Sequence, residues 1–152
     1  MSSVLELLLD ALWSGVVTVG FSLLFAVPRK YLSGCIFAGI IAHVLRTVCM
    51  QRGVSLELAT LVGATSLGAA SAFLGRRQKV PMSIFSMSAM ISLVPGTYAY
   101  RTMMALLALV STPNPPVALT TDVLVLGTRT ALVVGAIAVG VVSPSLFLQR
   151  GQ

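Results

Sequence analysis

The chain has 152 residues, of which 57% are hydrophobic and only 9% are charged, and its mean hydropathy is +0.98. Because a soluble domain carries about 25% charged residues, this composition excludes a soluble enzyme domain and predicts an integral membrane protein. The net charge of +6 comes mostly from lysines and arginines in short predicted loops. It argues against nucleic-acid binding, since the sequence has no basic face with interleaved aromatic residues.

Five apolar stretches predict a single all-α domain over residues 1–152, built as a bundle of five transmembrane helices. The first stretch is expected to be a retained span, because Glu6 and Asp10 stand where a signal peptide would carry positive charge. The fourth stretch is too long for one straight span, and the fifth is expected to end at Ser143-Pro144. The predicted spans are residues 4–27, 31–50, 55–74, 81–110 and 117–142.

Basic residues cluster on one predicted side of the membrane. The opposite side has only Arg52 near Glu57, an uncharged proline-rich turn and an acidic N-terminus. Because cytoplasmic loops are enriched in lysine and arginine, the N-terminus is predicted to lie outside and the C-terminus inside. The clustered basic residues are Arg29, Lys30, Arg76, Arg77, Lys79 and Arg150.

Small residues recur four positions apart along three predicted spans. Such pairs allow helices to approach closely in lipid, although they are also common in membrane helices generally. Together they favour a tightly packed bundle or an oligomer. The pairs are Ala59 and Gly63, Gly68 and Ala72, Ala131 and Gly135, and Ala136 and Gly140.

The fourth stretch contains a helix breaker, Pro95-Gly96, followed by Thr97, Tyr98 and Arg101. A helix that restarts near Gly96 has unpaired N–H groups and a positive dipole end at this point. A substrate carboxylate would find those donors and a guanidinium on the same side, which predicts a substrate-binding segment. The alternative is a simple proline kink, with Arg101 paired to an acidic side chain.

His43 and Arg46 lie three residues apart in the second span and share one helix face. With Glu57, they are candidates for proton or ion coupling, because ionisable groups inside a membrane usually serve function. The alternative is a histidine bonded to a neighbouring helix and an arginine anchored at the interface. A metal site is not expected, since no second histidine or cysteine has ligand spacing to His43.

Arg129 lies in the middle of the fifth span and is a further candidate substrate-binding residue. Asp122, seven residues earlier, is too far away to pair with it directly. Glu57 and Asp10 are the other acidic candidates, and an interfacial position is expected for Asp10. The sequence has no catalytic triad and no phosphate loop, so neither enzymatic activity, an ATP-driven pump nor a cofactor is expected.

Residues along most of the chain resemble the small, YjjB-type subunit of the threonine/serine exporter family. The most specific match is the Pro-Gly-x-x-Ala sequence at residues 95–99 in its span context. The matching positions are Val19–Ser22, Val27-Pro28, Gly39–Arg46 with its His-x-x-Arg sequence, Gly53, Glu57, Thr60, Val94–Gly96, Tyr98–Tyr100, Met103 and Gly140–Pro144.

This resemblance implies a five-span subunit of the bacterial inner membrane, equivalent to the C-terminal half of the ten-span exporters. It implies a secondary exporter of threonine, serine or dicarboxylates such as succinate, acting with a YjjP-type membrane subunit. Two half-transporters of opposite orientation would form an inverted-topology pair. Two alternatives remain open: a non-transporting scaffold for a partner, and a self-assembled homo-oligomeric channel.

Overall fold

The computed structural model describes residues 2–149, and these are all helical apart from short connections. The all-α class is therefore confirmed for the described residues. A 3₁₀ turn at Arg29–Tyr31 connects the first two helices, and another at Ile91–Leu93 extends the fourth. The α-helices are α1 (Ser2–Leu24), α2 (Leu32–Gln51), α3 (Leu56–Gln78), α4 (Ser83–Met90), α5 (Gly96–Ser111) and α6 (Val117–Gln149).

Four of these helices are long and apolar enough to cross a membrane: α1, α2, α3 and α6. The bent pair formed by residues 83–93 and 96–111 adds a fifth candidate if it is one broken span. The structure thus supports a multi-pass membrane protein with four or five spans. The count of five and the orientation stay predictions.

Contacts between helices give their relative directions. Gly34 lies against Leu74, and Gly63 lies against the backbone of Ala42. The residue numbers of the contacting residues rise along α2 while they fall along α3, so these two helices are antiparallel.

The last helix runs in the same direction as α3. Glu57 is paired with Arg129, and Gly140 lies against Ala64, so positions rise together along both helices. α5 and α6 form a hairpin through the connection at residues 112–116.

The fourth helix runs parallel to α2, because Gly34 lies against Phe85 and Gly39 lies against Ala89. α5 has the opposite direction to α6, and α6 shares the direction of α3. Since α3 is antiparallel to α2, α5 continues in the general direction of α4 despite the bend between them.

The core combines small side chains on α2, α3 and α4 with Leu67, Leu93 and β-branched residues on α6. Gly68 and Gly140 permit backbone contact between α3 and α6, as small residues do in lipid. Both small pairs on α3 are buried, whereas Ala131 and Gly135 lie on an exposed face. The main buried cluster contains Ala38, Ala42, Ala64, Leu67, Ala89, Leu93, Val133, Ile137 and Val141.

The chain breaks its helix at Pro95, as the sequence predicts. Pro95 has φ −81° and ψ 64°, and the N–H of Gly96 donates to the carbonyl of Val94 at 2.9 Å. These values describe an inverse γ-turn. The helix axis changes direction by 59° across it, and α5 begins at Gly96.

The sequence predicts that the fifth span ends at Ser143-Pro144, but the helix does not end there, because α6 continues through Pro144 to Gln149. Proline cannot donate to the carbonyl four residues earlier, which here belongs to Gly140. The Ser143 hydroxyl donates to that carbonyl at 3.2 Å. A side chain thus supplies the missing donor, so the helix need not stop.

Candidate functional site

Three helices bring charged and aromatic side chains together beside the break. Arg129 Nε of α6 lies 3.5 Å from Glu57 Oε1, in the first turn of α3. The Arg129 guanidinium also lies 5.8 Å from the ring centroid of Tyr98, in the first turn of α5. This distance is within cation–π range. The break cluster, defined as Glu57, Tyr98 and Arg129, thus joins residues far apart in sequence.

The break cluster opens to the surface. The Arg129 side chain is 51% exposed and that of Glu57 is 24% exposed. A shallow depression beside them is also lined by Leu124, Val125 and Leu132. A site that encloses a small molecule buries most of that molecule's surface. The observed depression is therefore an open surface rather than a closed pocket.

The first turn of α5 has backbone donors close in sequence to Tyr98. The N–H of Ala99 donates to the Pro95 carbonyl at 2.9 Å and makes the first intrahelical bond. The N–H groups of Thr97 and Tyr98 precede it, at the positive end of the helix dipole. Thr97 is exposed. The predicted segment from Pro95 to Tyr98 therefore combines a fixed turn, helix-start N–H groups and the Tyr98 ring that faces Arg129.

Arg101 is separate from the break cluster. Its side chain is exposed on α5, and no described carboxylate lies within 4 Å of its guanidinium. The alternative interpretation, in which Arg101 pairs with an acidic residue, therefore finds no support within residues 2–149. Asp122 is also exposed, and Arg129 pairs with Glu57 rather than with it.

A second polar cluster joins α1 to α2. His43 Nε2 lies 3.0 Å from Asp10 Oδ1, and the Thr47 hydroxyl donates to Asp10 Oδ2 at 2.5 Å. His43 and Thr47 are four residues apart, so they face α1 from adjacent helical turns. The outer cluster, named for the predicted external side of the membrane and defined as Asp10, His43 and Thr47, is partly buried.

Arg46 connects α2 to the break. Its Nη1 donates to the carbonyl of Leu93 at 2.9 Å, and it also interacts electrostatically with Asp10. The side chain thus reaches into the protein rather than towards the interface. The predicted coupling residues are therefore divided, since His43 and Arg46 lie near Asp10 while Glu57 belongs to the break cluster.

Sequence reasoning placed Asp10 at the interface and missed its bonds to α2. The available indication was symmetry about the short connection between α1 and α2. Helices that pack side by side and are joined by a short loop are antiparallel neighbours. Asp10 and His43 lie at similar distances from the connection around residues 25–31, so they come to the same level. No group of three potential metal ligands occurs among the residues that the structure describes.

Comparison with known proteins gives a family match along most of the chain. A family model described as "Threonine/Serine exporter, ThrE" matches residues 10–147. A Haemophilus influenzae protein named only "Uncharacterized protein" is 29% identical over 146 residues. The alignment covers 96% of this chain and 49% of that relative, so the chain spans about half the length of the curated relative it matches. No solved structure matches.

Proposed function

Because the chain belongs to the threonine/serine exporter family, which is a family of transporters rather than enzymes, we propose that it is a subunit of a secondary exporter. The proposed substrates are small metabolites that carry a carboxylate, and they leave the cell through the bacterial inner membrane. The observation that carries this proposal is the break at Pro95. The α5 helix that begins there carries Tyr98 in its first turn, with the ring 5.8 Å from the Arg129 guanidinium, and helix-start N–H groups together with a guanidinium are the chemistry a carboxylate requires.

Glu57 favours an amino acid over a dicarboxylate. Arg129 and Glu57 offer opposite charges 3.5 Å apart, and a zwitterion such as threonine or serine carries its carboxylate and ammonium groups at a similar separation. The face of Tyr98 also attracts a cation. A dicarboxylate would instead need two cationic groups, for which Arg129 and Arg101 are the candidates on this side of the protein.

The helix directions support five crossings of the membrane. α4 and α5 have the same general direction as α2, and α6 has the direction of α3, which is the alternation that five consecutive spans require. A re-entrant segment would instead return α5 to the side on which α4 began. The positions of the lysines and arginines add an external N-terminus and an internal C-terminus to this arrangement.

A YjjP-type membrane subunit is the proposed partner. The chain aligns with only 49% of its longer relative, so the relative has room for a second unit of similar size. α5 has no buried residue, and the break cluster is open on one side. A partner that packs against α5 would close the site, and Arg101 would then lie at the contact between the two subunits.

The test is efflux from vesicles that contain this chain with its YjjP-type partner, loaded with threonine, serine or succinate. Arg129→Gln removes the proposed carboxylate ligand and should lower efflux at least tenfold, the size of a lost charged hydrogen bond. Arg52→Gln removes the same charge at the exposed end of α2 and should leave efflux unchanged. Glu57→Gln should lower amino-acid efflux more than succinate efflux.

The alternatives predict different results in the same assay. Efflux by this chain alone indicates a self-assembled channel, and efflux by the partner alone indicates that this chain is a scaffold. Normal efflux by Arg129→Gln at normal expression would contradict the proposed site. An equal response of all three substrates to Glu57→Gln would contradict the preference for amino acids.

A further inference from the structure

We propose that the outer cluster is a proton-binding site in which Nδ1 of His43 takes the proton and Asp10 balances its charge. Asp10 and Thr47 are the residues that position the imidazole. The inference deepens the proposed function and rests on it, because it assumes that the exporter uses the bound proton. Its geometry comes from three side chains on two helices.

The hydrogen bonds define which ring nitrogen accepts the proton. An ionised Asp10 only accepts hydrogen bonds. Its Oδ1 lies 3.0 Å from His43 Nε2, so Nε2 must carry the hydrogen. In the neutral imidazole the lone pair is then on Nδ1. This nitrogen is buried and has no hydrogen-bond partner among the described residues.

Proton uptake therefore has a definite outcome. A bond forms between the proton and the Nδ1 lone pair, and the water that delivered the proton keeps the electron pair of the broken O–H bond. The imidazole becomes an imidazolium, and Nε2–H stays bonded to Asp10. The imidazolium then shares the Asp10 carboxylate with Arg46, so the new positive charge lies beside a counter-ion, which is less costly than an isolated charge within a membrane.

The surroundings of the imidazole contain few other charges. Asp10 faces it from α1, and Arg46 lies on its own helix. Residues 83–93 of the neighbouring segment carry no titratable side chain, and the one acidic residue of α3, Glu57, is engaged by α6. Asp10 is thus the counter-ion that the described residues provide for a protonated His43.

Two features connect this site to transport. A surface depression lined by Asp10, Thr47, Met50 and Gln51 gives access to the carboxylate, whereas Nδ1 is buried. Proton uptake at Nδ1 thus requires the helices around it to move. Asp10 also interacts with Arg46, which holds the carbonyl at the end of the 3₁₀ turn before Pro95. A new positive charge on His43 competes with Arg46 for Asp10. It therefore affects the break through the bond from Arg46 to the Leu93 carbonyl.

The chain contains a single histidine, which permits a direct test without substrate. The full chain with ¹⁵N-labelled histidine, placed in lipid nanodiscs, gives nitrogen signals from one imidazole. We expect a neutral form protonated at Nε2 and a protonation of Nδ1 on acidification. Asp10→Asn should take up the Nδ1 proton only under more acidic conditions, because the counter-ion is lost. Asp122→Asn, which removes an exposed carboxylate from α6, should titrate like the wild type.

Three outcomes would overturn the inference. These are a neutral form protonated at Nδ1, an Nδ1 that takes up no proton across the stability range, and an Asp10→Asn variant that titrates like Asp122→Asn. The first two need only the wild-type protein, so a misfolded variant does not prevent the test.

The vesicle assay separates this inference from the proposed function. If the wild-type pair exports substrate, an imposed pH gradient should accelerate export several-fold, and His43→Gln should abolish that acceleration while leaving exchange without a gradient. Export by His43→Gln that still responds to the gradient overturns the proton site but leaves the exporter standing. Absence of export by the wild type overturns the exporter, whereas the nitrogen titration still tests the site.

Discussion

Arg46 shows how one side chain can make a broken helix tolerable in a membrane. The 3₁₀ turn that ends at Leu93 leaves carbonyl groups without helical partners, and an unsatisfied group in lipid costs several kcal/mol. Arg46 donates to the Leu93 carbonyl and puts a positive charge at the negative end of that helix. It therefore satisfies a backbone group and stabilises the dipole at the same point.

Replacement of Arg46 by alanine should accordingly destabilise the fold. The loss of a charged hydrogen bond predicts a decrease of about 1.5–3 kcal/mol in the free energy of unfolding. Arg52→Ala, at the exposed end of the same helix, should change it by less than about 0.5 kcal/mol. Unfolding by SDS in mixed micelles, followed by circular dichroism, measures both. Equal stability of the two variants would mean that the bond to Leu93 contributes nothing.

At the same scale, the sequence indicated which residue types matter better than it indicated their partners. His43, Arg46, Glu57 and Arg129 stand out because charge within an apolar run is costly. Their partners depend on packing between helices, which spacing along one helix does not determine. Asp10 was therefore assigned to the interface, although the helix contacts bring it to His43.

At the scale of the element, breaker residues have different consequences in different helices. Pro95 ends a helix, since its turn is followed by a 59° change of axis. Pro144 does not, because Ser143 satisfies the carbonyl that proline cannot reach. A sequence pattern identifies both prolines as breakers. Only the local hydrogen bonds separate the true break from the tolerated proline.

Two glycines of α6 provide a matched test of helix packing. A Cβ atom at Gly140 would lie 2.6 Å from Ala64 Cβ and 3.0 Å from the Thr65 backbone nitrogen, whereas one at Gly135 would meet no atom within 4 Å. Gly140→Ala should lower the free energy of unfolding by about 1–3 kcal/mol through overpacking. Gly135→Ala should be neutral or stabilising by up to about 1 kcal/mol, because alanine favours helix.

Thermal unfolding of the two variants in the same detergent checks this difference. A Gly140→Ala variant as stable as Gly135→Ala would show that α3 and α6 do not depend on close backbone approach. A common loss in both variants would instead indicate that the exposed face around Gly135 is covered, as an oligomer or a partner would cover it.

At the scale of the whole molecule, hydropathy predicts the helices and the contacts predict how they alternate. Four helices meet the length and apolarity expected of a span, and the fifth crossing depends on the bent pair. Each part of the pair is short, at about 1.5 Å per residue, so neither crosses about 30 Å of hydrocarbon alone. The direction of α5 relative to α2 favours one broken span over a re-entrant loop.

Labelling of single cysteines on opposite predicted sides tests that arrangement. In a chain whose native Cys35 and Cys49 are replaced by alanine, Asn114→Cys lies in the connection after α5, and Gln78→Cys lies at the exposed end of α3. A membrane-impermeant maleimide should label Asn114→Cys in intact cells and Gln78→Cys only after permeabilisation. Arg52→Cys, on the predicted outer side, should behave like Asn114→Cys.

Each failure of this pattern has a separate meaning. Labelling of Asn114→Cys and Gln78→Cys from the same side would mean that α4 and α5 return to the membrane face they left, which contradicts five crossings. Labelling of Gln78→Cys alone in intact cells would preserve five crossings and reverse the orientation. The break at Pro95 would then lie nearer the cytoplasmic surface, and Asp10 would face the cytoplasm. His43 would therefore take its proton from the cytoplasm, which is the side that an exported substrate leaves.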